Sequence, residues 1–493
     1  MVPADTQVMA TPVNPYRDTT APSSWQRHLM NRMGCGYSRA TFAHMETAGS
    51  ASSWFDTQRD PASITESAKA AALPSWFPDM HEPPTTKWQK QAAGTKGGWE
   101  YAADLAGYSM MRRIYSRRQV LETMVDFWST NLHVHASHDL AWVHRASYDD
   151  LLRTHALGRF DELLVEATLH PAMLLYLDNW RSTRAAPNEN HGRELLELHT
   201  VGRSADYTEQ MVKDSAKILS GHTVEVFGSW SGFYDPGKHA TGPVNVLGFS
   251  AANSSTEGAE LTRDYLRHLA RHPATAQNVA RKLARYFVAD TPSAQLVDDL
   301  AEVFRRSGTS IEATLRALVD HPEFKAARGT LVRTPIDDFV ATCRVLQVDA
   351  HPPTSDSSFA RAAIWVPQTT LLYQWPRPDG SPLGDAAWAS ASRMLSSFRM
   401  HWGLVGGWWP REQVSYRSGA SWLPQRSLRF DRYVDHLARM LLGRPSTPRI
   451  LSAALAATGC APGTQITKDH AVATWLHVRL TGALLDSPDH MRR

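Results

Sequence analysis

The stretch from Asn188 to Gly202 carries the side chains of this sequence that are best suited to acid–base chemistry. Its letters, NENHGRELLELHTVG, include three glutamates, two histidines, two asparagines and one arginine among residues typical of a buried helix. Such groups gather at catalytic sites, where their pKa values are tuned, and also in buried ion-pair networks that only hold a helix in place. The composition therefore supports two interpretations, an acid–base site or a structural polar network.

Helical spacing separates the roles of the glutamates within this stretch. If Asn190 caps the helix, then Asn190, Glu194 and Glu197 fall on one stripe at i, i+4 and i+7. Arg193 and Glu197 form a neighbouring i, i+4 pair. We therefore expect Glu197 to be the structural partner of Arg193, Glu194 to be chemically available, and Gly202 to end the helix.

Carboxylates beside aromatic rings are what the hydrolysis of a sugar polymer requires, because rings stack on sugars and two carboxyl groups move the protons. The candidate catalytic residues are Glu194, Glu197 and Glu189, with Asp126 as another possible partner from a different element. The sequence holds 17 tryptophans, enough to line a cleft. The candidate substrate-binding residues are Asn188, Asn190, Arg193, His199, Trp128, His239 and Trp375.

Metal and nucleotide cofactors are not expected from the motifs of this sequence. The cluster His133, His135, His138 and Asp139 is closely spaced and reads as a hydrogen-bonded connector. The three cysteines are far apart and lack zinc-ligand spacing, and there is no HExxH motif. Neither a phosphate-binding loop nor a dinucleotide fingerprint occurs, and no Gly-x-Ser-x-Gly nucleophile elbow is present.

Composition places the chain among ordinary globular proteins. Hydrophobic residues make up 42% and charged residues 20% of the 493 residues, and the net charge of +3 is too small to indicate a nucleic-acid partner. No apolar run approaches the ~18 residues of a membrane span. The first thirty residues show no export signal, which suggests a cytoplasmic protein or one whose leader has been removed. The oligomeric state does not follow from the sequence.

The predicted fold is mainly α, a single large helical domain with a small lobe that contains β-hairpins. Apolar spacing of 3.6 residues predicts helices over 115–128, 190–201, 275–287, 294–307 and 311–320. Glycines, prolines and short β-prone pieces predict the lobe at about 222–250. Residues 1–24 are rich in Pro, Thr, Ser and Ala and read as a disordered or draped arm.

Several motifs resemble a bacterial family known as "domain of unknown function 1800", over roughly residues 25–490. The string from Asn188 to Gly202 is similar to its signature, and further matching motifs are Leu169–Asn179, Tyr207–Glu209, Arg281–Phe287, His321–Phe324, Pro376–Gly380 and Asp486–Pro488. Two positions depart from its pattern. Asn131 stands where the family has a histidine, unless His133 takes that role, and Ala240 follows His239 where the family has aspartate.

The leading hypothesis is a hydrolase- or lyase-like enzyme that acts on a carbohydrate or other polar polymer. Glu194 or Glu197 would be the general acid or base, and Arg193 and Asn190 would orient it. The alternative is a non-catalytic binding or assembly protein, in which the same polar helix is structural. Exposure of Glu194 and Glu197 to a cleft favours the enzyme, and sealing of both by protein partners favours the alternative.

Overall fold

Helices dominate the structure, a computed structural model that describes residues 19–493. Of the described residues, 58% are helical. The α-helices of the described residues are α1 Ser24–Arg32, α2 Arg39–Thr47, α3 Ala51–Gln58, α4 Ala68–Trp76, α5 Pro84–Ala92, α6 Gly98–Tyr115, α7 Gln119–Asn131, α8 Arg145–His155, α9 Phe160–Leu169, α10 Pro171–Tyr176, α11 Glu189–Glu194, α12 Glu209–Leu219, α13 Ala259–Arg271, α14 Pro273–Phe287, α15 Ala294–Arg306, α16 Ile311–Asp320, α17 Pro322–Ala326, α18 Pro335–Leu346, α19 Phe359–Ala362, α20 Ala391–Val405, α21 Phe430–Leu441, α22 Pro448–Thr458, α23 His477–Leu485 and α24 Pro488–Met491.

The β-structure consists of small antiparallel pairs of two strands each. The strands are β1 His222–Val224, β2 Gly232–Tyr234, β3 Val244–Val246, β4 Phe249–Ala251, β5 Asp349–Ala350, β6 Val414–Ser415, β7 Ser427–Arg429 and β8 Gln465–Thr467. β1 pairs with β2 and β3 with β4, which confirms hairpins in the predicted lobe. The pairs β5–β6 and β7–β8 were not predicted, because each joins segments far apart in the chain.

The predicted helices are found, with corrections at their ends. α14, α15 and α16 match the predicted ranges to within about two residues. The prediction of one helix over 115–128 was wrong at its start, since α6 ends at Tyr115 and α7 begins at Gln119. Ser116 caps the end of α6 in extended backbone, and this break cannot be seen in the apolar spacing.

Three His-Pro pairs act as boundaries between consecutive helices. At His170, His272 and His321 the imidazole Nδ1 accepts a hydrogen bond of 3.2 Å from the backbone N–H two residues on. The following proline is the first residue of α10, α14 and α17, where its missing N–H has no cost. Each pair therefore ends one helix and starts the next.

One cluster of buried apolar side chains runs through the described residues, from Leu29 to Leu485. Within the described part of the chain, no helix is long and apolar enough to cross a membrane. Most of the predicted N-terminal arm, residues 1–18, lies outside the described residues. Thr19, at its end, is buried, and its hydroxyl lies 3.0 Å from Nδ1 of His436 on α21.

A buried charged network joins three C-terminal helices, α18, α20 and α23. His401 on α20 lies with Nε2 3.2 Å from Asp338 of α18 and with Nδ1 2.7 Å from Asp486, at the end of α23. Arg393 of α20 lies 3.3 Å from the second oxygen of Asp338. Burial alone would lower the pKa of His401, but the charges and hydrogen bonds of Asp338 and Asp486 outweigh it and raise the pKa to about 9. His401 is therefore a buried imidazolium held between two aspartates.

The raised pKa of His401 predicts how stability depends on pH. Its stabilising contribution is fully present below 6.5, the ordinary histidine pKa, and is lost as pH rises through about 9. We expect a loss on the order of 3 kcal/mol in the free energy of unfolding, measured by urea titration at pH 6.5 and pH 9.5. In His401→Gln this alkaline loss should be absent, and an equal slope in both proteins would contradict the assignment.

Candidate functional site

The signature helix α11 has its N-cap two residues earlier than the spacing suggested. Asn188, not Asn190, is the N-cap, and its Oδ1 accepts a hydrogen bond of 2.9 Å from the backbone N–H of Asn190. The Asn188 amide also donates to the Leu177 carbonyl at 2.7 Å. Glu189 and Asn190 are exposed in the first turn. The Glu189 carboxylate there interacts favourably with the positive end of the helix dipole.

Gly192 lets α11 lie directly on α12. A Cβ at this position would lie 2.9 Å from both the Val212 carbonyl oxygen and the Ala216 backbone nitrogen. Both contacts are with backbone, which cannot rotate out of the way, so only glycine allows this approach. The close contact sets the position of every polar side chain on α11 relative to α12.

Arg193 is bound by a partner that the sequence did not indicate. Its guanidinium forms a two-pronged ion pair with Glu209, the first residue of α12, at 2.8 and 2.6 Å. Glu197 lies 3.9 Å from Arg193 and 3.2 Å from Arg203, and it hydrogen-bonds the Tyr207 hydroxyl. Glu197 is thus held by protein partners, and Arg193 has its main partner elsewhere.

The helix widens after Glu194 into a π-helical turn, Leu195–His199. A π-turn shifts the pattern of backbone hydrogen bonds, so carbonyl groups at its end need other donors. α14 supplies two of them: the Lys282 ammonium donates to the Leu198 carbonyl at 2.5 Å and the Asn278 amide to the Thr200 carbonyl at 2.7 Å. Gly202, with φ of +86°, closes the turn, and its backbone N–H donates to the Leu196 carbonyl. The helix therefore ends near the position predicted from Gly202.

Glu194 has no hydrogen-bonding partner for its buried oxygen. The side chain is half-buried, and its Oε2 is enclosed without a partner among the residues that the structure describes. Burial raises the pKa of Glu194, and the charge of Glu197 raises it further. Arg203 opposes this shift, Asp379 adds a smaller upward effect, and Arg193 has the smallest opposing effect. Glu194 therefore holds a proton more tightly than an ordinary carboxyl group, as a general acid must.

Tyr176, Asp379 and Lys282, from three other elements, are coupled electrostatically to Glu194 or to one another. Burial and the charges of Glu194 and Asp379 raise the pKa of Tyr176 to about 12. Burial lowers the pKa of Lys282 to about 8, with Asp379 opposing it. Burial and the charge of Lys282 lower the pKa of His199 to about 3, so its imidazole is neutral at pH 7. The sequence analysis did not single out Tyr176, Lys282 or Asp379, although each lies in or beside a quoted motif.

A small cavity of about 80 Å³ adjoins this cluster through His133. His133 Nε2 lies 3.0 Å from the Trp375 carbonyl oxygen, and its ring meets the Tyr176 ring edge-on at 5.9 Å. Trp375 and Asp126, both candidates from the sequence, line the same cavity. The segment 375–380 packs closely against the end of α7. At Gly380 a Cβ would collide with the Thr130 carbonyl oxygen, so only glycine allows this contact.

Two predicted binding residues lie away from the cluster. Trp128 is 2% exposed, and its indole donates to the Ala156 carbonyl at 3.0 Å within the core. His239 is fully buried in the lobe, with one nitrogen 2.8 Å from the Ser220 carbonyl and the other 2.8 Å from Asn253. Both side chains are engaged with protein groups, and we leave them out of the candidate site.

Within residues 19–493, one group of His, Cys, Asp or Glu brings three ligand atoms within 4.8 Å of one another: Asp338, His401 and His490. His401 is held between two aspartates, and Arg393 contacts Asp338. The negative charge of Asp338 is therefore already neutralised by cations of the protein. This arrangement suits a buried ion network better than a divalent metal. The histidines of the 133–139 cluster have separate partners. His133 Nε2 lies beside the Trp375 carbonyl oxygen, and His135 Nδ1 accepts a hydrogen bond from the Ser137 backbone N–H.

A family model described as a protein of unknown function, DUF1800, matches residues 28–492 of this chain. The match covers nearly the whole sequence, and the chain belongs to this family. In the comparisons with curated proteins and with solved structures, nothing matches this chain. The family membership confirms the resemblance drawn from the motifs, and chemistry has to be argued from the site.

The contact at Gly192 predicts a large cost for a single methyl group. Gly192→Ala should lower the free energy of unfolding by about 1–3 kcal/mol, because the added carbon meets backbone atoms of α12. Gly403 in α20 is a matched control, since a Cβ there meets nothing within 4 Å. Gly403→Ala should be neutral or stabilise by up to about 1 kcal/mol through helix propensity. Urea melts of both variants measure the difference, and equal losses would contradict the packing argument.

The two site glutamates should respond oppositely to removal of their charge. Glu197→Gln breaks contacts with Arg203, Arg193 and Tyr207 and should cost about 1–2 kcal/mol. Glu194→Gln removes a carboxyl group without a cation partner and should leave stability unchanged or raise it. Thermal melts at pH 7 test this split; a larger loss for Glu194→Gln than for Glu197→Gln would reverse the assignment.

Proposed function

We propose that this protein is a hydrolase- or lyase-like enzyme that acts on a carbohydrate or other polar polymer, with Glu194 as its proton donor. The observation that supports the proposal most strongly is the state of Glu194. Its carboxyl group is half-buried, has an unpaired oxygen within the described structure and has a raised pKa, while the neighbouring arginines are bound to other glutamates. A structural ion pair would show the opposite: a direct cation partner and a lowered pKa.

The second carboxyl group of such a site is Asp379. It is exposed, comes from a different element than Glu194, and lies close enough for its charge to raise the Glu194 pKa. In hydrolysis, Glu194 gives its proton to the leaving oxygen as the bond to that oxygen breaks. Asp379 takes a proton from the water molecule whose oxygen forms the new bond. In elimination, Asp379 removes a carbon-bound proton, the electron pair of that C–H bond forms a C=C bond, and the bond to the leaving oxygen breaks as Glu194 gives that oxygen its proton.

Further residues around Glu194 and Asp379 support this pair. Arg193 and Arg203 hold Glu197 in place, and Glu197 then adds negative charge beside Glu194. The Lys282 ammonium holds the π-turn through the Leu198 carbonyl. His199 and His133 are neutral because burial lowers the pKa of each, to about 3 and about 4, so they do not compete with Glu194 for its proton near pH 7.

A second candidate function is a non-catalytic binding or assembly protein. The observation that favours it is the engagement of the rest of α11: Asn188, Arg193 and Glu197 all bind protein groups. In that case Glu194 would be a polar residue of the fold with no substrate. Loss of turnover in Glu194→Gln with unchanged stability separates the two functions.

The test is a polysaccharide panel, including uronic-acid polymers, assayed for reducing ends and for unsaturated products. Glu194→Gln and Asp379→Asn should each reduce turnover by about 10²–10⁴-fold, because proton transfer is removed. Turnover should fall as pH rises through the raised pKa of Glu194, since the acid acts only while protonated. Glu260→Gln, at an exposed position of α13, is the matched control and should keep full turnover. Equal activity of Glu194→Gln and Glu260→Gln on every hydrolysed or cleaved polymer would refute the proposal.

A further inference from the structure

A separate cavity of about 710 Å³ lies where the first turn of α2 meets the ends of α6 and α18. Among the described residues its wall holds one carboxylate, that of Asp349, and three arginines, Arg39, Arg117 and Arg344. Lys69 binds the Asp349 carboxylate. Arg117 and Arg344 therefore supply positive charge that no carboxylate of this wall balances.

A carboxylate just behind the wall is also paired elsewhere. Glu66 does not line the cavity, and it accepts a hydrogen bond of 2.6 Å from the Ser116 hydroxyl. It lies beside two arginines that are likewise outside the wall, Arg112 at 3.6 Å and Arg118 at 3.8 Å. The charge of Glu66 is thus engaged away from the cavity.

The guanidinium group of Arg344 is buried, 7% exposed, and its hydrogen-bond acceptors are all neutral. One terminal nitrogen donates to the carbonyls of Arg113 and Ile114 at the end of α6, at 3.2 and 2.9 Å. The other donates to the hydroxyls of Ser38 and Thr41, at 3.2 and 2.5 Å. Arg344 Nε has no acceptor in the described part of the chain. A buried charge without a counter-charge is costly, so a bound anion would stabilise this group.

His44 of α2 senses the positive potential of the same wall. It lines the cavity and is half-buried. Burial lowers the pKa of His44, and the charges of Arg117 and Arg344 lower it further. Both arginines therefore act on one region of the cavity, although they come from different elements.

The first turn of α2, residues 38–41, borders the cavity and adds to this potential. The N–H groups of a first turn have no carbonyl partner inside the helix, and the helix dipole favours an anion beside them. The carbonyl ends of α6 and α18 have local donors. Arg344 binds two carbonyls of α6, and in α18 the Cys343 and Arg344 carbonyls accept from the backbone N–H groups of Val348 and Gln347. These ends therefore oppose the first turn of α2 only weakly.

The remaining donors suit a tetrahedral oxyanion better than a carboxylate. Both terminal nitrogens of Arg344 are engaged, so it cannot bind a carboxylate in the two-pronged manner. Arg344 Nε, the Thr41 hydroxyl and the first turn of α2 each offer single donors from different directions. A phosphate group presents three oxygens in different directions and can accept from all of them.

The size of the cavity indicates a ligand larger than the oxyanion itself. Small-molecule sites have volumes of about 300–1,000 Å³, and about 710 Å³ lies within this range. Trp54, Ile114 and Val348 give the rest of the wall apolar surface. An organic group attached to the oxyanion would bury its own apolar surface there.

We infer that this cavity binds a phosphate monoester, a tetrahedral oxyanion carried by a small organic molecule. Arg344 Nε, the Thr41 hydroxyl and the first turn of α2 donate to the phosphate oxygens. Arg117 adds a second positive charge at the exposed rim. Neither Glu194 nor Asp379 lines this cavity, so the inference is independent of the proposed function.

Calorimetry with phenyl phosphate, inorganic phosphate and benzoate tests the ligand class. Phenyl phosphate should bind, and inorganic phosphate and benzoate should each bind more weakly by about fivefold or more, since one lacks the organic group and the other the tetrahedral oxyanion. Absence of phenyl phosphate binding, or equal binding of benzoate, would overturn the inference. Equal binding of inorganic phosphate would refute the organic part of the ligand.

The His44 imidazole provides a reading of where the ligand binds. An anion beside Arg117 and Arg344 would favour the charged imidazolium, so phenyl phosphate should raise the pKa of His44. Proton NMR titration of the imidazole signals measures this shift, and His44→Gln identifies the signal. Phenyl phosphate binding that leaves the His44 titration unchanged would place the ligand elsewhere and refute the site.

Matched variants assign the binding to individual groups. Arg117→Gln and Thr41→Val should each weaken phenyl phosphate binding by about threefold to tenfold, and Arg344→Gln by about tenfold or more. Arg411→Gln removes an exposed arginine outside the cavity and should not change the affinity. Arg344 also supports the end of α6, so circular dichroism melts check that its variant is folded. If Arg344→Gln does not fold, Arg117→Gln and Thr41→Val decide the matter: unchanged affinity in both would refute the assignment.

Discussion

The ion pair between Arg193 and Glu209 determines the chemistry available at the signature helix. Arg193 could have neutralised Glu194, its neighbour in sequence, or Glu197, one turn on. Its planar guanidinium instead binds both oxygens of Glu209, at the start of α12. With Arg193 so engaged and Arg203 bound to Glu197, no direct cation stabilises the ionised form of Glu194 among the described residues. Gly192 makes this geometry possible, since it brings α11 against α12.

One buried and one half-buried carboxyl group, those of Asp338 and Glu194, show how strongly the partner of a carboxyl group decides its protonation. Burial raises the pKa of any carboxyl group, because the charged form loses its hydration. At Asp338, His401 and Arg393 more than compensate, and the pKa is lowered. At Glu194 the charges of Glu197 and Asp379 add to burial and outweigh those of Arg203 and Arg193, so the pKa is raised. The first arrangement holds helices together with a fixed charge, and the second keeps a proton available for transfer.

The π-turn after Glu194 links this electrostatic arrangement to the neighbouring helix. Its carbonyl groups are satisfied by Lys282 and Asn278, which lie one turn apart on α14. The same Lys282 contributes a buried ammonium group to the cluster, so one residue both supports the backbone and shapes the local potential. Widened turns of this kind often occur at functional sites, where they redirect a side chain without ending the helix.

The amino-acid sequence by itself determined the helices and the family. Apolar spacing located α14, α15 and α16, since each buries a single face and local periodicity records that face. The motifs identified the family over roughly residues 25–490, and the family model matches residues 28–492. The sequence also directed attention to Glu194, because a short helix crowded with polar groups is unusual in a core.

Only the tertiary structure decided which partners these residues have. Asp379 is 185 residues from Glu194 in sequence, and Lys282 is 88 residues away, so their charges reach Glu194 and His199 only through the packing of distant elements. The N-cap at Asn188 and the break between α6 and α7 depend on single backbone conformations, which periodicity does not record. The pairs β5–β6 and β7–β8 and the cavity at Trp375 likewise arise from long-range contacts. Local patterns specify which face of an element is buried, whereas hydrogen bonds and charges between elements are set when those faces meet.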